Sequence, residues 1–143
     1  GILQERNFEL YKPMYRNPEN VKFIQEAMFA STNELYGTSF NSRYEDEKYQ
    51  FAGKTGTSQV RRITEAEREA DLKISEIEYK NRDHALYIAF APYKDPRYSI
   101  SVLIEHGGSG SKVAAPIASK LIKKIINRHK LRELKRIKAN DLA

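Results

Sequence analysis

The run Lys54-Thr55-Gly56-Thr57 places a cation and two hydroxyls between apolar neighbours of strand-like composition. Side chains alternate between the two faces of an extended strand, so Thr55 and Thr57 share one face and Lys54 and Gly56 share the other. Gly56 leaves a gap in which a second backbone can approach. Two hydroxyl donors, an ammonium and bare backbone suit a peptide that ends in a carboxylate. The Lys-Thr-Gly triplet alone is equally compatible with a plain turn between two strands.

Helix and strand signals surround this run. Asn17 followed by Pro18 is typical of a helix start, and apolar residues at helical spacing predict a helix over 18–34 that ends before Gly37. Residues 49–60 are predicted to form the strand that carries the lysine. The short polar segment 41–48 between them is predicted to be a loop.

Two further strands are predicted over 84–91 and 98–105, where apolar residues alternate with polar ones. The turn residues between them predict an antiparallel hairpin. Residues 61–83 are highly charged, and apolar residues recur there every three or four positions, at Ile63, Ala66, Ala70, Ile74 and Ile77. This spacing predicts an amphipathic helix. Its place beside the lysine strand makes it a candidate lid or partner surface, although a surface excursion without a role is the simpler interpretation.

Composition restricts the class of protein. The chain has 143 residues, of which 31% are charged and 40% hydrophobic, so one soluble globular domain is expected. No run approaches the roughly 18 apolar residues of a spanning helix. There are no cysteines. His84, His106 and His129 lack the spacing of metal ligands, so no metal and no cofactor is expected.

The net charge is +6, and much of the positive excess lies between Lys120 and Lys138. A long helix is predicted there, beginning near Pro116 after the glycine-rich link 107–110 and packing an apolar face on the sheet. Its last part, 128–138, is predicted to continue as a solvated basic helix, and no nucleic acid is expected as a partner. A module that binds nucleic acid or anionic lipid through this helix is the alternative.

Four segments occur in a recognisable order: Tyr36-Gly37-Thr38-Ser39, Ala-Gly-Lys-Thr-Gly-Thr-Ser-Gln-Val over 52–60, Tyr-Ile-Ala-Phe-Ala-Pro over 87–92, and Val-Leu-Ile-Glu-His-Gly-Gly-Ser-Gly over 102–110. From about Val21 to Ile126 the sequence resembles the C-terminal part of the transpeptidase domain of class B penicillin-binding proteins, in particular the elongation-type penicillin-binding protein 2 branch. The resemblance implies an incomplete portion of the penicillin-binding-protein fold, which is serine β-lactamase-like. The fold expected is α+β, with a three-stranded antiparallel sheet, a preceding helix and a long C-terminal helix.

The resemblance also implies roles for the central run. Lys54 would take part in the proton relay of the complete enzyme, and the hydroxyls of Thr55 and Thr57 would bind the terminal carboxylate. The backbone N–H of Thr57, with that of the nucleophilic serine, would form the oxyanion hole. Gly56 would keep the strand edge clear for a substrate that pairs as an added strand.

The family places its Ser-x-x-Lys and Ser-x-Asn elements well upstream of Lys-Thr-Gly. The formal matches here are Ser109 to Lys112, which follows it, and Ser31 to Asn33, which precedes it by only about twenty residues. Both are interpreted as chance matches. The nucleophile is therefore expected to be missing, and the chain alone is predicted to be inactive, although the resemblance implies that its parent is a serine-type D,D-transpeptidase of peptidoglycan synthesis.

Three segments are expected: an irregular N-terminal segment 1–17, part of the transpeptidase domain over 18–126, and a basic helical tail 127–143. The complete enzyme would bind peptidoglycan stem peptides and β-lactams at the periplasmic face of the bacterial inner membrane, anchored by a helix absent here. The chain itself would be soluble and contact the remainder of its domain, or form a homodimer through an exposed sheet edge. A fragment of a serine β-lactamase or β-lactam sensor is the alternative enzyme class.

Overall fold

The structure is a computed structural model that describes residues 14–61 and 73–140. Over these ranges the chain forms two long helices and one sheet, namely α1 (Pro18–Asn33), β1 (Ala52–Ser58), β2 (His84–Ala91), β3 (Tyr98–Ile104) and α2 (Ala115–Asn140). The predicted α+β arrangement, with a helix before the strands and a long helix after them, is confirmed.

Helix α1 begins at its predicted position. The Asn17 side chain accepts a hydrogen bond from the N–H of Glu19 at 2.9 Å, and Pro18 occupies the first helical position, where no N–H is needed. The helix ends at Asn33, because Glu34 is already extended and donates its N–H to the Ala30 carbonyl at 3.0 Å. The predicted helix 18–34 is therefore confirmed to within one residue.

The sheet is antiparallel in the order β1-β2-β3. Strand β2 alternates strictly between buried and more exposed residues, with Ala85, Tyr87, Ala89 and Ala91 pointing into the core. This alternation is the physical basis of the predicted hairpin, which is confirmed, since one face of the sheet is covered and the other is not.

The strand predicted over 49–60 is too long at both ends. Tyr49 lies in a 3-10 turn, Glu47–Tyr49, and its hydroxyl donates to the side-chain oxygen of Asn127 on α2 at 2.6 Å. At the other end, Val60 donates its N–H to the Asp83 carboxylate at 3.4 Å instead of continuing the ladder. These contacts outside the sheet override a strand-like composition.

The helix predicted within 61–83 is wrong for the residues that the structure describes. Ile74–Glu76 and Tyr79–Asn81 form separate 3-10 turns, while Ile63, Ala66 and Ala70 lie outside the described residues. The Arg82 side chain donates to the Ile77 carbonyl at 2.9 Å, which holds the backbone in a turn. Of the spaced apolar residues, Ile74 lies against Gly108 just after β3, since a Cβ atom at position 108 would be 2.7 Å from its Cγ2 atom. Tyr79 packs nearby against His106, with ring centroids 5.1 Å apart.

One face of the sheet is covered by α2 and by the π-helical turn Gly110–Ala114 that leads into it. The turn contributes Ala114 to the core, and the helix contributes Ala115, Ala118 and the larger Ile122. The opposite face carries Lys54, Ile88 and Leu103, of which the last two are 52% and 55% exposed. We call this second surface the open face.

Candidate functional site

The residues singled out by the sequence lie in the middle of β1, not in a turn. Lys54 and Thr57 are exposed, and Thr55 and Gly56 are half-buried. Among the strands that the structure describes, β1 pairs only with β2, so no described strand lies along its other edge, which we call the free edge. A free edge can pair with a second extended chain. The structure therefore places the ammonium, both hydroxyls and the glycine on one accessible edge strand.

The direction of the backbone groups of β1 follows from a close approach at Gly110. A Cβ atom at this position would lie 2.8 Å from the Gly56 carbonyl oxygen and 2.6 Å from the Leu86 carbonyl oxygen. Both carbonyls therefore point into the space between β1 and β2, which identifies Gly56 and Leu86 as a hydrogen-bonded pair. Pairs alternate along an antiparallel ladder, so the N–H and C=O groups of Thr55 and Thr57 point toward the free edge.

Helix α1 occupies the first part of this edge. Asn33 donates its side-chain amide to the Phe51 carbonyl at 2.9 Å, and the Thr32 hydroxyl donates to the Gly53 carbonyl at 3.4 Å. Phe51 and Gly53 precede Thr55 by four and two residues, so their carbonyl groups point to the same edge as that of Thr55. The stretch from Thr55 to Thr57 therefore remains as the accessible part of the edge.

The polar side chains converge at Thr55. Its hydroxyl lies 3.4 Å from the Lys54 ammonium and 3.4 Å from the Thr38 hydroxyl, which in turn lies 3.2 Å from the hydroxyl of Ser31. The Lys54 ammonium also donates to the Thr55 carbonyl at 2.9 Å. Although Lys54 starts from the open face, its charged end thus reaches the free edge. A cation and several hydroxyls at one edge can hold a carboxylate by charge-assisted hydrogen bonds.

A second group of hydroxyls lies directly behind the strand. Thr32, Ser39 and Tyr87, which we call the buried hydroxyl cluster, are 0%, 2% and 0% exposed. The Tyr87 hydroxyl lies 2.9 Å from the Thr32 hydroxyl and 3.0 Å from the Ser39 hydroxyl. Ser39 also donates to the Ser31 carbonyl at 3.1 Å. The cluster therefore ties α1, the loop after it and β2 together behind the lysine strand.

Gly53 makes room for this cluster. A Cβ atom at position 53 would lie 2.2 Å from the Tyr87 hydroxyl oxygen. Burial raises the pKa of the Tyr87 phenol, and the hydrogen bonds with Ser39 and Thr32 oppose that rise. Tyr87 therefore stays protonated and serves as a structural hydrogen-bonding group.

Replacing Tyr87 by phenylalanine is expected to lower the free energy of unfolding by about 1–2 kcal/mol, since two buried hydroxyls lose a partner. The substitution should also change how the free energy of unfolding depends on pH in the alkaline range. A raised folded pKa contributes stability below the ordinary tyrosine pKa of 10.0 that is lost as the pH rises through the folded pKa. The free energy of unfolding measured with urea should therefore decrease less steeply above pH 10 for Tyr87→Phe than for the unmodified chain. Tyr36→Phe, at a 95% exposed position, is the control; equal slopes in the two variants would contradict this role.

Thr32, Asn33, Thr38 and Ser39 were not predicted as contributors to the site. They are small polar residues at the end of one helix and in the loop that follows, which is the available sequence signal. Within the formal Ser-x-Asn match, Asn33 bonds the backbone of β1 instead. The Ser109 hydroxyl of the formal Ser-x-x-Lys match accepts a hydrogen bond from the Lys112 N–H at 3.3 Å and so caps the turn before α2.

Comparison with known proteins identifies the class. Residues 14–123 match the family described as the penicillin binding protein transpeptidase domain. This match covers most of the chain, which therefore belongs to that family.

The relatives of the chain include proteins of the penicillin-binding protein 2 type. Peptidoglycan D,D-transpeptidase MrdA of Salmonella typhimurium (strain SL1344) is 36% identical over 99 residues, which covers 69% of this chain and 15% of the relative. The chain thus corresponds to a small part of the length of that protein.

Two solved structures share the fold. One is the complex between PBP2 and MreC from Helicobacter pylori, with a TM-score of 0.61, 31% identity and coverage of 76% of this chain and 17% of the other. The other is Pseudomonas aeruginosa PBP2 in complex with WCK 5153, with a TM-score of 0.56, 30% identity and coverage of 77% and 20%.

Proposed function

We propose that this chain supplies the substrate-binding strand of a peptidoglycan D,D-transpeptidase that cross-links stem peptides through a serine acyl-enzyme. The observation that carries the proposal is the free edge of β1, where the N–H groups of Thr55 and Thr57 and the ammonium of Lys54 are presented together. The family to which the chain belongs supports this function over a serine β-lactamase or sensor.

In this proposal each residue of the strand has a separate role. The Thr55 and Thr57 hydroxyls bind the terminal carboxylate of the stem peptide or of a β-lactam, and Lys54 adds its charge and takes part in the proton relay. The Thr57 N–H stabilises the oxyanion that develops on the attacked carbonyl, a contribution typically worth about 3 kcal/mol. Gly56 has no side chain on the open face, which leaves room there for the rest of the site.

The nucleophilic serine and its lysine come, in this proposal, from polypeptide outside this chain that covers the open face. Ile88 and Leu103 are more than half exposed there, beside Lys54. Burying them would remove apolar area from water and bring the nucleophile to the strand. For the isolated chain, the proposed homodimer pairs through the exposed sheet edge, and the mass in solution checks for it. We place the complete enzyme at the periplasmic face of the inner membrane.

Labelling with a fluorescent penicillin tests the proposal. The 143-residue chain should remain unlabelled, whereas a version extended upstream through the rest of the transpeptidase domain should form a covalent adduct that survives denaturing electrophoresis. The extended protein, heat-denatured before labelling, is the control for non-specific reaction. Label on the short chain would show that its nucleophile lies within these residues, and an unlabelled but folded extended protein would contradict transpeptidase function.

A further inference from the structure

The positive charge of the protein is concentrated on one part of α2. Residues 120–138 contain nine lysines and arginines and one glutamate, a net charge of +8, so the rest of the chain carries −2 of the total of +6. From Arg128 onward nearly every side chain of this segment is exposed. The basic segment is therefore a separate surface, on a different element from the Lys54 strand.

This segment also exposes aliphatic side chains. Leu131, Leu134 and Ile137 are 60%, 46% and 56% exposed. Their spacing of three residues places consecutive members side by side on the helix, with lysines and arginines between and around them. A helix that only met water would gain nothing from these three residues. Their exposure points to a partner that takes up cationic and aliphatic groups together.

A groove beside the helix repeats the same combination. It encloses about 540 Å³, with Tyr44 and Leu131 among its apolar parts and Lys120, Lys123, Lys124 and Arg128 around it. The Lys123 ammonium lies 5.0 Å from the centre of the Tyr44 ring, which keeps this cation in place over an apolar base. Phosphate groups suit the cationic rim, and hydrocarbon suits the apolar base.

We propose that residues 120–138 of α2, together with the Tyr44 groove, dock on the surface of an anionic phospholipid bilayer. The lysines and arginines would lie at the headgroup phosphates, and Leu131, Leu134 and Ile137 would enter the boundary with the acyl chains. Within residues 14–61 and 73–140 no helix has the length and hydropathy to cross a bilayer. Nucleic acid fits less well, because residues 120–138 contain no phenylalanine, tyrosine or tryptophan for stacking and its phosphates leave the aliphatic residues without a partner.

Vesicle sedimentation tests the charge requirement. The chain should bind vesicles of phosphatidylcholine with about 30% phosphatidylglycerol at least about tenfold more tightly than vesicles of phosphatidylcholine alone. Lys124→Glu with Lys135→Glu should weaken binding by at least about tenfold. The matched control is Lys22→Glu with Lys73→Glu, which makes the same change in net charge at exposed positions outside the segment. Equal losses in the two pairs would overturn the assignment to α2.

Fluorescence tests the aliphatic contact. The protein contains no tryptophan, so Leu131→Trp introduces a unique reporter, and Phe23→Trp places the same reporter at a 69% exposed position of α1. Anionic vesicles should shift the emission of the first variant to the blue and leave that of the second unchanged. Leu131→Ser with Leu134→Ser should weaken vesicle binding about tenfold, with circular dichroism unchanged. An unshifted Leu131→Trp spectrum, unaffected binding of the serine variant, or a DNA duplex that displaces the vesicles at equal phosphate concentration would each overturn the proposal.

Discussion

Gly53→Ala should lower the free energy of unfolding by about 3 kcal/mol. The new Cβ atom would lie 2.2 Å from the Tyr87 hydroxyl oxygen and 2.5 Å from the ring carbon that bears it. Tyr87 is fully buried and bonded to Thr32 and Ser39, so it cannot move aside without breaking those hydrogen bonds. Urea unfolding of the 143-residue chain measures the loss.

The matched control for this prediction is Gly56→Ala on the same strand. There the added Cβ atom meets only the Leu86 Cβ atom, at 3.3 Å, so the expected change is within about 1 kcal/mol. Combining Gly53→Ala with Tyr87→Phe should be less destabilising than the sum of the two single changes, since the nearest clashing atom is gone. Equal effects of alanine at positions 53 and 56, or strict additivity of the pair, would contradict the packing described.

Thr57→Pro, introduced into the protein extended through its transpeptidase domain, should lower the rate of acylation by penicillin about 10²–10³-fold while leaving the fold intact. Proline removes the N–H that is proposed to stabilise the oxyanion. Because that N–H points to the free edge, the ladder with β2 loses no hydrogen bond. Stopped-time labelling with a fluorescent penicillin gives the rate, and thermal melting reports the fold.

Two neighbouring substitutions separate the backbone group from other effects. Thr57→Ala removes only the hydroxyl and keeps the N–H, so a smaller loss, about tenfold, is expected. Ser58→Pro removes an N–H that the alternation assigns to the pair with His84, and it should therefore lower the melting temperature. If Thr57→Pro acylates as fast as Thr57→Ala, the Thr57 N–H does not serve the oxyanion.

The elements predicted most accurately from the sequence are the strands in which apolar and polar residues alternate because only one face of the sheet is covered. The limits of β2 are those predicted, and β3 differs by one residue, because the π-helical turn and α2 cover one face and leave Ile88 and Leu103 exposed. For residues 73–83, which the structure describes, the predicted helix failed because Ile74 packs against Gly108 just after β3, where a Cβ atom would lie 2.7 Å from its Cγ2 atom. Contacts of that kind depend on partners distant in sequence, which periodicity does not report.

The candidate site was likewise only partly predictable. The alternation of a strand was sufficient to separate Lys54 from Thr55 and Thr57, and an exposed sheet edge was expected because the sequence resembles an incomplete portion of the family fold. The buried hydroxyl cluster could not be predicted, since Thr32, Ser39 and Tyr87 meet only when α1 and its following loop fold back behind β1. Each residue alone is an ordinary polar residue of a helix end, a loop or a strand.

The hydrogen bonds from α1 to the edge of β1 also limit where a peptide can bind along this strand. Asn33 and Thr32 donate hydrogen bonds to the carbonyls of Phe51 and Gly53, respectively, and β1 ends at Ser58. Among the described residues, the main-chain groups of the free edge that α1 leaves without a partner lie between Thr55 and Thr57, beside the Lys54 ammonium. In the proposed function, so short a segment next to a positive charge suits the carboxylate end of a stem peptide, because a chain terminus needs few main-chain partners.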